Sequence, residues 1–164
     1  MSIDIDVIPA TKDYVTISQI VSSIDNDFKN VKFRKLGQKH LARNTEWLEP
    51  DCAYQVLLEK LGNIVIYVNP TDEDDSDYEV DMIEEYGRNL KDQEISVIRN
   101  CWLKVKLTYR ISSSANRDEQ ELLLQKQLAV ALAELTKGYV IISEQGLFGL
   151  AIGIYTSEEA RRLG

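Results

Sequence analysis

Residues 116–143, NRDEQELLLQKQLAVALAELTKGYVIIS, decide how the rest of the chain is read. The Asn116 side chain is suited to accept from free backbone N–H groups, and Glu119, three residues on, is placed to reach back, as in a capping box. Asp118, Glu119 and Glu121 put negative charge in the first turns, where the helix dipole favours it. Leu124, Leu128, Ala131, Leu132 and Leu135 then recur at the spacing of one helical face, which Ala129, Val130 and Ala133 widen. Only Glu134 is polar between Leu128 and Leu135, so this helix is expected to be covered on most sides. Lys137 suits its C-terminal end, and Gly138 is expected to supply the left-handed residue that stops it. A strand over 139–143 follows. The stretch therefore predicts a long buried helix, about 116–137, leading directly into a sheet.

The segments before it fit around that unit. Ile3, Ile5 and Val7 alternate with Asp4 and Asp6, the period of a half-exposed strand. A shorter N-terminal helix, about 17–28, follows: Thr16 and Gln19 make a capping-box pair, Val15 and Ile20 a hydrophobic staple, and Ile17, Ile20, Val21, Ile24 and Phe28 an apolar face. Strands are expected over 31–36, 54–59 and 63–68, with 61–63 as a tight turn. Residues 64–68 lack a polar face and read as a central strand covered on both sides. Helices are expected over 79–90, interrupted by Gly87, and over 93–100.

From Leu103 to Ile111 the alternation is clear: Leu103, Val105, Leu107, Tyr109 and Ile111 against Lys104, Lys106, Thr108 and Arg110. It predicts an antiparallel or edge strand with one wet face. After the long helix and its strand, a turn at 144–146 leads into 147–155, where Gly146, Gly149 and Gly153 read as turn and close-packing glycines. Thr156 and Glu159 then cap a short terminal helix. Helices and strands mix without strict βαβ repetition, so the expected fold is α+β: a single layered domain, 1–164, with a mixed, mainly antiparallel sheet against the two helices.

At 164 residues the chain is long enough for one substantial core. Residues 1–4 offer neither the basic region nor the apolar core of a secretory signal, and no apolar run approaches the roughly 18 residues of a membrane span. Cys52 and Cys101 stand alone, as reduced thiols do. A cytoplasmic protein is expected.

Charge is segregated more than the net −8 conveys. Residues 29–43 carry Lys29, Lys32, Arg34, Lys35, Lys39 and Arg43 and no acid, and residues 95–117 are again free of acids. Residues 72–85 reverse the sign, with nine acids and no base. That block is the candidate partner-binding surface: Asp72, Asp74, Asp75 and Asp77 would attract a basic protein, and Tyr78, Met82 and Tyr86 would be buried against it. Asp72, Asp74 and Ser76 alternate as in an EF-hand, but Asp77 stands where the loop needs Gly and Ile83 where it needs a bidentate Glu, so no metal site is expected. Lys104, Lys106 and Arg110, with Trp102 of the same parity as a stacking surface, form the alternative candidate for contacting nucleic-acid phosphates. Long-range repulsion from an acidic chain opposes that reading. Self-association of unlike charge patches into a homodimer is a further possibility.

No catalytic constellation is legible. His40, the one histidine, rules out two-histidine acid–base schemes and HExxH zinc sites within one chain. There is no G-x-S-x-G elbow and no phosphate loop, and no cofactor is expected. A small enzyme or ligand-binding domain would need a pocket assembled from distant residues, with a perturbed His40, Cys52 or Cys101.

The C-terminal third, with Ala131–Leu132–Ala133–Glu134–Leu135–Thr136–Lys137–Gly138 and later Tyr155–Thr156–Ser157–Glu158–Glu159–Ala160, resembles the closing helix, strand and capped end of small bacterial α+β proteins, some grouped with immunity proteins of polymorphic-toxin systems. The resemblance implies blocking of a toxin by binding it, and transfers no individual residue. The expected function is accordingly a non-catalytic protein-interaction module, an immunity-like inhibitor of a basic partner.

Overall fold

A computed structural model describes residues 2–59, 61–71, 82–114, 118–144 and 149–163. Its elements are β1 (Ser2–Ile8), α1 (Ile17–Ser23), β2 (Lys32–Lys35), β3 (Cys52–Leu58), β4 (Leu61–Pro70), a helical turn α2 (82–86), α3 (Asp92–Val105), β5 (Leu107–Ser114), α4 (Glu119–Leu135), β6 (Tyr139–Ile142), β7 (Gly153–Thr156) and α5 (Ser157–Leu163). The strands form one sheet in the order β2-β3-β4-β5-β1-β6-β7, and each neighbouring pair is antiparallel. This is the expected α+β architecture, with the long helix α4 and the shorter α1 packed on the sheet. Among the described residues no helix is long and apolar enough to cross a membrane.

The period-2 pattern of the strands sends Ile5, Val7, Tyr54, Val56, Ile64, Ile66, Val68, Tyr109 and Ile111 to one face, where they meet Leu124, Leu128, Ala131 and Leu132 of α4. Flanking α4 on that face are α1 and α5. A second apolar cluster joins Ile8, Ile141 and Ile154 on the opposite face to Ile83, Ile98 and Trp102. It lies on the β1–β6–β7 side. Toward β4 the same face opens: Tyr67 is 38% exposed and Val65 half-buried, so β4 is interior to the sheet but not covered on both sides.

Two of the three capping boxes read from the sequence are present. Thr16 N–H donates to Gln19 Oε1 at 2.9 Å and Gln19 N–H to Thr16 Oγ1 at 3.2 Å; Thr156 and Glu159 repeat the exchange at 3.1 and 3.2 Å. The N-terminal helix is shorter than expected, because Asp25 N–H donates to Gln127 Oε1 of α4 at 2.8 Å. That bond draws the chain out of the helical path after Ser23, and Asn26–Phe28 continues as a 3₁₀ turn. The cap of α4 is Asp118, whose Oδ1 accepts from Glu121 N–H at 2.8 Å, rather than Asn116, which lies outside the described residues. The β3–β4 turn also moves: Leu58 already pairs with Leu61, so Leu61 and Asn63 belong to β4.

The expected strand over 103–111 is half helix. Ile98, Trp102 and Val105 are buried at i, i+4 and i+7, so α3 runs to Val105, and Lys106 turns left-handed at φ 57° with its N–H donating to Trp102 O at 2.9 Å. Strand β5 begins only at Leu107, and it lies at the middle of the sheet rather than at an edge. Apolar alternation across Lys106 satisfied both periods at once; burial of Trp102 selected the helical one. β1 likewise sits between β5 and β6, and only 8% of Asp6 is exposed.

Both sheet edges are blunted. On β7, Asn89 imitates a neighbouring strand, donating from Nδ2 to Ile154 O and accepting Ile154 N–H at Oδ1, each at 3.0 Å. Gly153 has no Cβ because one would stand 2.7 Å from that Oδ1. On β2, Ala42 N–H donates to Phe33 O at 2.7 Å, and Lys32 is exposed beside it.

The end of α4 also departs from expectation. The left-handed residue is Lys137, at φ 54°, and Gly138 is required for contact instead: a Cβ there would overlap Ile8 O and lie 2.8 Å from Pro9 Cα. Gly138→Ala should therefore destabilise by about 1–3 kcal/mol, as overpacking does. Lys137→Gly should cost nothing or stabilise slightly by removing left-handed strain. Denaturant midpoints of the two variants test this, and the reverse ranking would show that Gly138 serves backbone conformation alone.

Candidate functional site

The structure describes only some of the residues that the sequence grouped as sites. Asp72, Asp74, Asp75, Asp77 and Tyr78 lie outside the described residues. Met82 and Tyr86 are half-buried and pack against the Ile83–Ile98–Trp102 cluster. Glu84 is exposed and ion-paired with Arg99.

The three residues of the alternative basic site do not share a strand. Lys104 is in the last turn of α3, Lys106 is that helix's left-handed cap, and of the three only Arg110 is on a strand. Arg110 Nε donates to Asp6 Oδ1 at 2.9 Å across the β1–β5 pairing, with Nη2 at 3.4 Å from Oδ2. Trp102 is 2% exposed and offers no stacking surface. His40 is exposed; Cys52 and Cys101 are half-buried free thiols, and Cys52 Sγ lies 3.8 Å from Glu49 Oε2. Among the described residues no three His, Cys, Asp or Glu converge as metal ligands.

What the structure does assemble is an aromatic ridge that the sequence reading passed over. The segment before α1 pairs with residues 44–48: Thr16 bridges Trp47, Leu48 N–H donates to Val15 O at 2.8 Å and Ile17 N–H to Glu46 O at 3.0 Å. In that extended pairing Val15 and Leu48 turn into the core, each 1% exposed. Their neighbours Tyr14 and Trp47 necessarily turn out, 64% and 37% exposed, and their rings meet at a centroid distance of 4.0 Å and a 45° tilt. Each side chain thus owes its position to an apolar neighbour buried beneath it.

A cleft lies on either side of the ridge. One, of about 240 Å³, is lined by Lys12, Asp13, Tyr14, Leu48, Pro50, Pro70, Lys106 and Tyr109, among others. Tyr109 is 2% exposed, and burial pushes its phenol up to about 12. The other, of about 150 Å³, is lined by Lys35, Gln38, Ala42, Glu46, Trp47, Glu49 and Tyr54. Its floor is ordered by polar contacts: Lys35 Nζ meets Glu49 Oε2 at 2.5 Å, and Glu49 N–H donates to Tyr54 Oη at 2.9 Å. The Lys35 bond holds the Glu49 carboxyl below its ordinary range, and the same bond raises Lys35. Large exposed aromatic rings over partly enclosed clefts provide stacking area and cation–π acceptor faces, the chemistry of macromolecular contact. Compared with family models, curated proteins and solved structures, the chain finds no match.

The Asp6–Arg110 pair supplies a pH-dependent reporter of the opposite sheet face. Burial raises the Asp6 carboxyl above its ordinary 3.8, more than the Arg110 hydrogen bond and charge lower it. The native state therefore holds this proton more tightly than the unfolded chain. Stability must fall as pH rises from about 3.8 through the native value, by about 1.4 kcal/mol for each tenfold difference in proton affinity. Relative to wild type, Asp6→Asn should gain unfolding free energy across that window and run parallel above it. Urea titrations at pH steps from 3 to 7 measure this, and parallel curves throughout would remove Asp6 as the source.

Proposed function

We propose that this chain is a protein-interaction module, acting in the bacterial cytoplasm, that captures a basic protein partner on the Tyr14–Trp47 ridge. The observation that carries this reading is the ridge itself: two exposed aromatic rings in tilted contact, set between two clefts. Tyr and Trp dominate the binding energy of protein interfaces, and the faces of their rings attract Lys and Arg side chains. Support comes also from chain connectivity. Pro70 lines the larger cleft, and Asp72, the first of the acidic block, is two residues further along the sequence. The acidic block thus follows a cleft-lining residue closely in sequence. It would draw a basic partner in, and the aromatic pair would hold it. Inhibition of a toxin by direct binding, which the C-terminal resemblance implies, is the specific form of this function.

The test begins with affinity purification from the native host and continues with the purified partner. Tyr14→Ala and Trp47→Ala should each weaken binding about 30-fold or more. Neutralising Asp72, Asp74, Asp75 and Asp77 together should slow association and flatten its salt dependence while leaving dissociation nearly unchanged. Unchanged affinity in both aromatic variants would refute the ridge as the interface. A dimer that forms at low ionic strength and is lost in the aromatic variants would instead assign the ridge to a second copy of the chain.

A further inference from the structure

A different cleft opens in the helical layer over the sheet, where α1 and α5 flank α4. It measures about 220 Å³, below the roughly 300–1,000 Å³ of sites for drug-sized ligands, so it suits a small molecule. Lys126 of α4 lines it and is only 9% exposed, yet it makes no hydrogen bond or ion pair with a described residue. Burial lowers its pKa, as expected of an ammonium without a counter-charge. Its stem is buried while its ammonium opens into the cleft, so Lys126 presents there a positive charge that no described acid pairs.

The other groups around the cleft are already engaged. Asp25 accepts from Gln127 Nε2 at 2.7 Å while its N–H donates to Gln127 Oε1, a two-point clasp that turns the carboxylate to the amide. Arg161 pairs with Glu134 and is 56% exposed at the side chain, a cation at the rim already shared with an acid. Ser23 Oγ donates to Gln19 O at 2.9 Å, and Leu123 and Val130 supply an apolar wall. A single uncompensated ammonium beside a short apolar wall matches a monoanion with a hydrocarbon tail better than a multiply charged phosphate.

We infer that this cleft binds a small amphipathic carboxylate, its acid group paired with Lys126 and its tail lying on Leu123 and Val130. The site is independent of the Tyr14–Trp47 ridge and concerns a ligand rather than a protein partner.

The test uses the full chain with octanoate, and with octanol and inorganic phosphate as probes that carry the tail or the charge alone. Octanoate should move the Leu123 and Val130 methyl resonances saturably and raise the melting temperature, while the two controls at equal concentration should not. Lys126→Met, similar in length and uncharged, should fold at least as stably as wild type and bind octanoate at least tenfold more weakly; Arg161→Gln should retain most of the binding. If Lys126→Met did not fold, the wild-type methyl shifts would still decide. Absence of a saturable octanoate shift, an equal response to octanol, a response to phosphate in place of octanoate, or unchanged affinity in a folded Lys126→Met would each overturn the proposal.

Discussion

Gln125 sets the position of everything above the sheet. It is 0% exposed, and its amide makes three bonds: Nε2 donates to Ile3 O of β1 at 2.9 Å and to Ile111 O of β5 at 2.8 Å, while Oε1 accepts from Ser113 Oγ at 2.8 Å. An apolar helix face by itself can slide or rotate over an apolar sheet at little cost, since hydrophobic burial is non-directional. A buried amide is directional, and leaving it unpaired costs the full desolvation of the group. The Gln125 contacts therefore fix both the register and the rotation of α4 on the two central strands. Two residues further along the same helix, Gln127 clasps Asp25 and places the end of α1.

The exit of α4 is constrained as tightly. Thr136 Oγ1 donates to Leu132 O at 2.7 Å, Gly138 N–H to Ala133 O at 2.7 Å, and Ala10 N–H to Thr136 O at 3.1 Å. The last bond ties the helix end to the chain leaving β1, and the absence of a Cβ at Gly138 lets β6 start directly against Ile8. A helix pinned in its middle by Gln125 and at its end by backbone contact can bury Leu128, Ala129, Leu132 and Ala133 at 0% exposure without clashes. Small alanines at the closest approach are what permit that separation.

Elements specified by neighbours in sequence were legible, and those specified by distant contacts were not. Thr16–Gln19 and Thr156–Glu159 were readable because a capping box is complete within four residues. The β1 alternation was readable as a strand, but its central place was hidden, because Asp6 is accommodated by Arg110, 104 residues away. Leu103–Ile111 was misread because its alternation fits two periods, and only the packing of Trp102 on Ile8 and Ile141 distinguishes them. Lys137 rather than Gly138 turns left-handed because the glycine is claimed by Ile8, from the other end of the chain. The ridge was invisible for the same reason: residues 9–14 and 36–50 have no periodicity, and the Thr16–Trp47 bridge that turns Tyr14 and Trp47 outward joins segments 31 positions apart. A weak local signal did exist, an aromatic residue directly before an aliphatic one in each of two aperiodic segments.

The charge segregation of the sequence takes on a different meaning once those distant pairs are in place. Arg34 is hydrogen-bonded to Gln55, Lys35 is bonded to Glu49, Arg110 to Asp6 and Arg99 to Glu84. Lys35, Arg99 and Arg110, which look like parts of free patches along the chain, are thus distributed over β2, α3 and β5 and paired with acids. Exposed ion pairs of this kind add little stability, but they remove local positive potential. With Lys35, Arg99 and Arg110 paired to acids, the exposed Tyr14–Trp47 rings stand apart as an interaction surface whose outer faces are not covered by the fold.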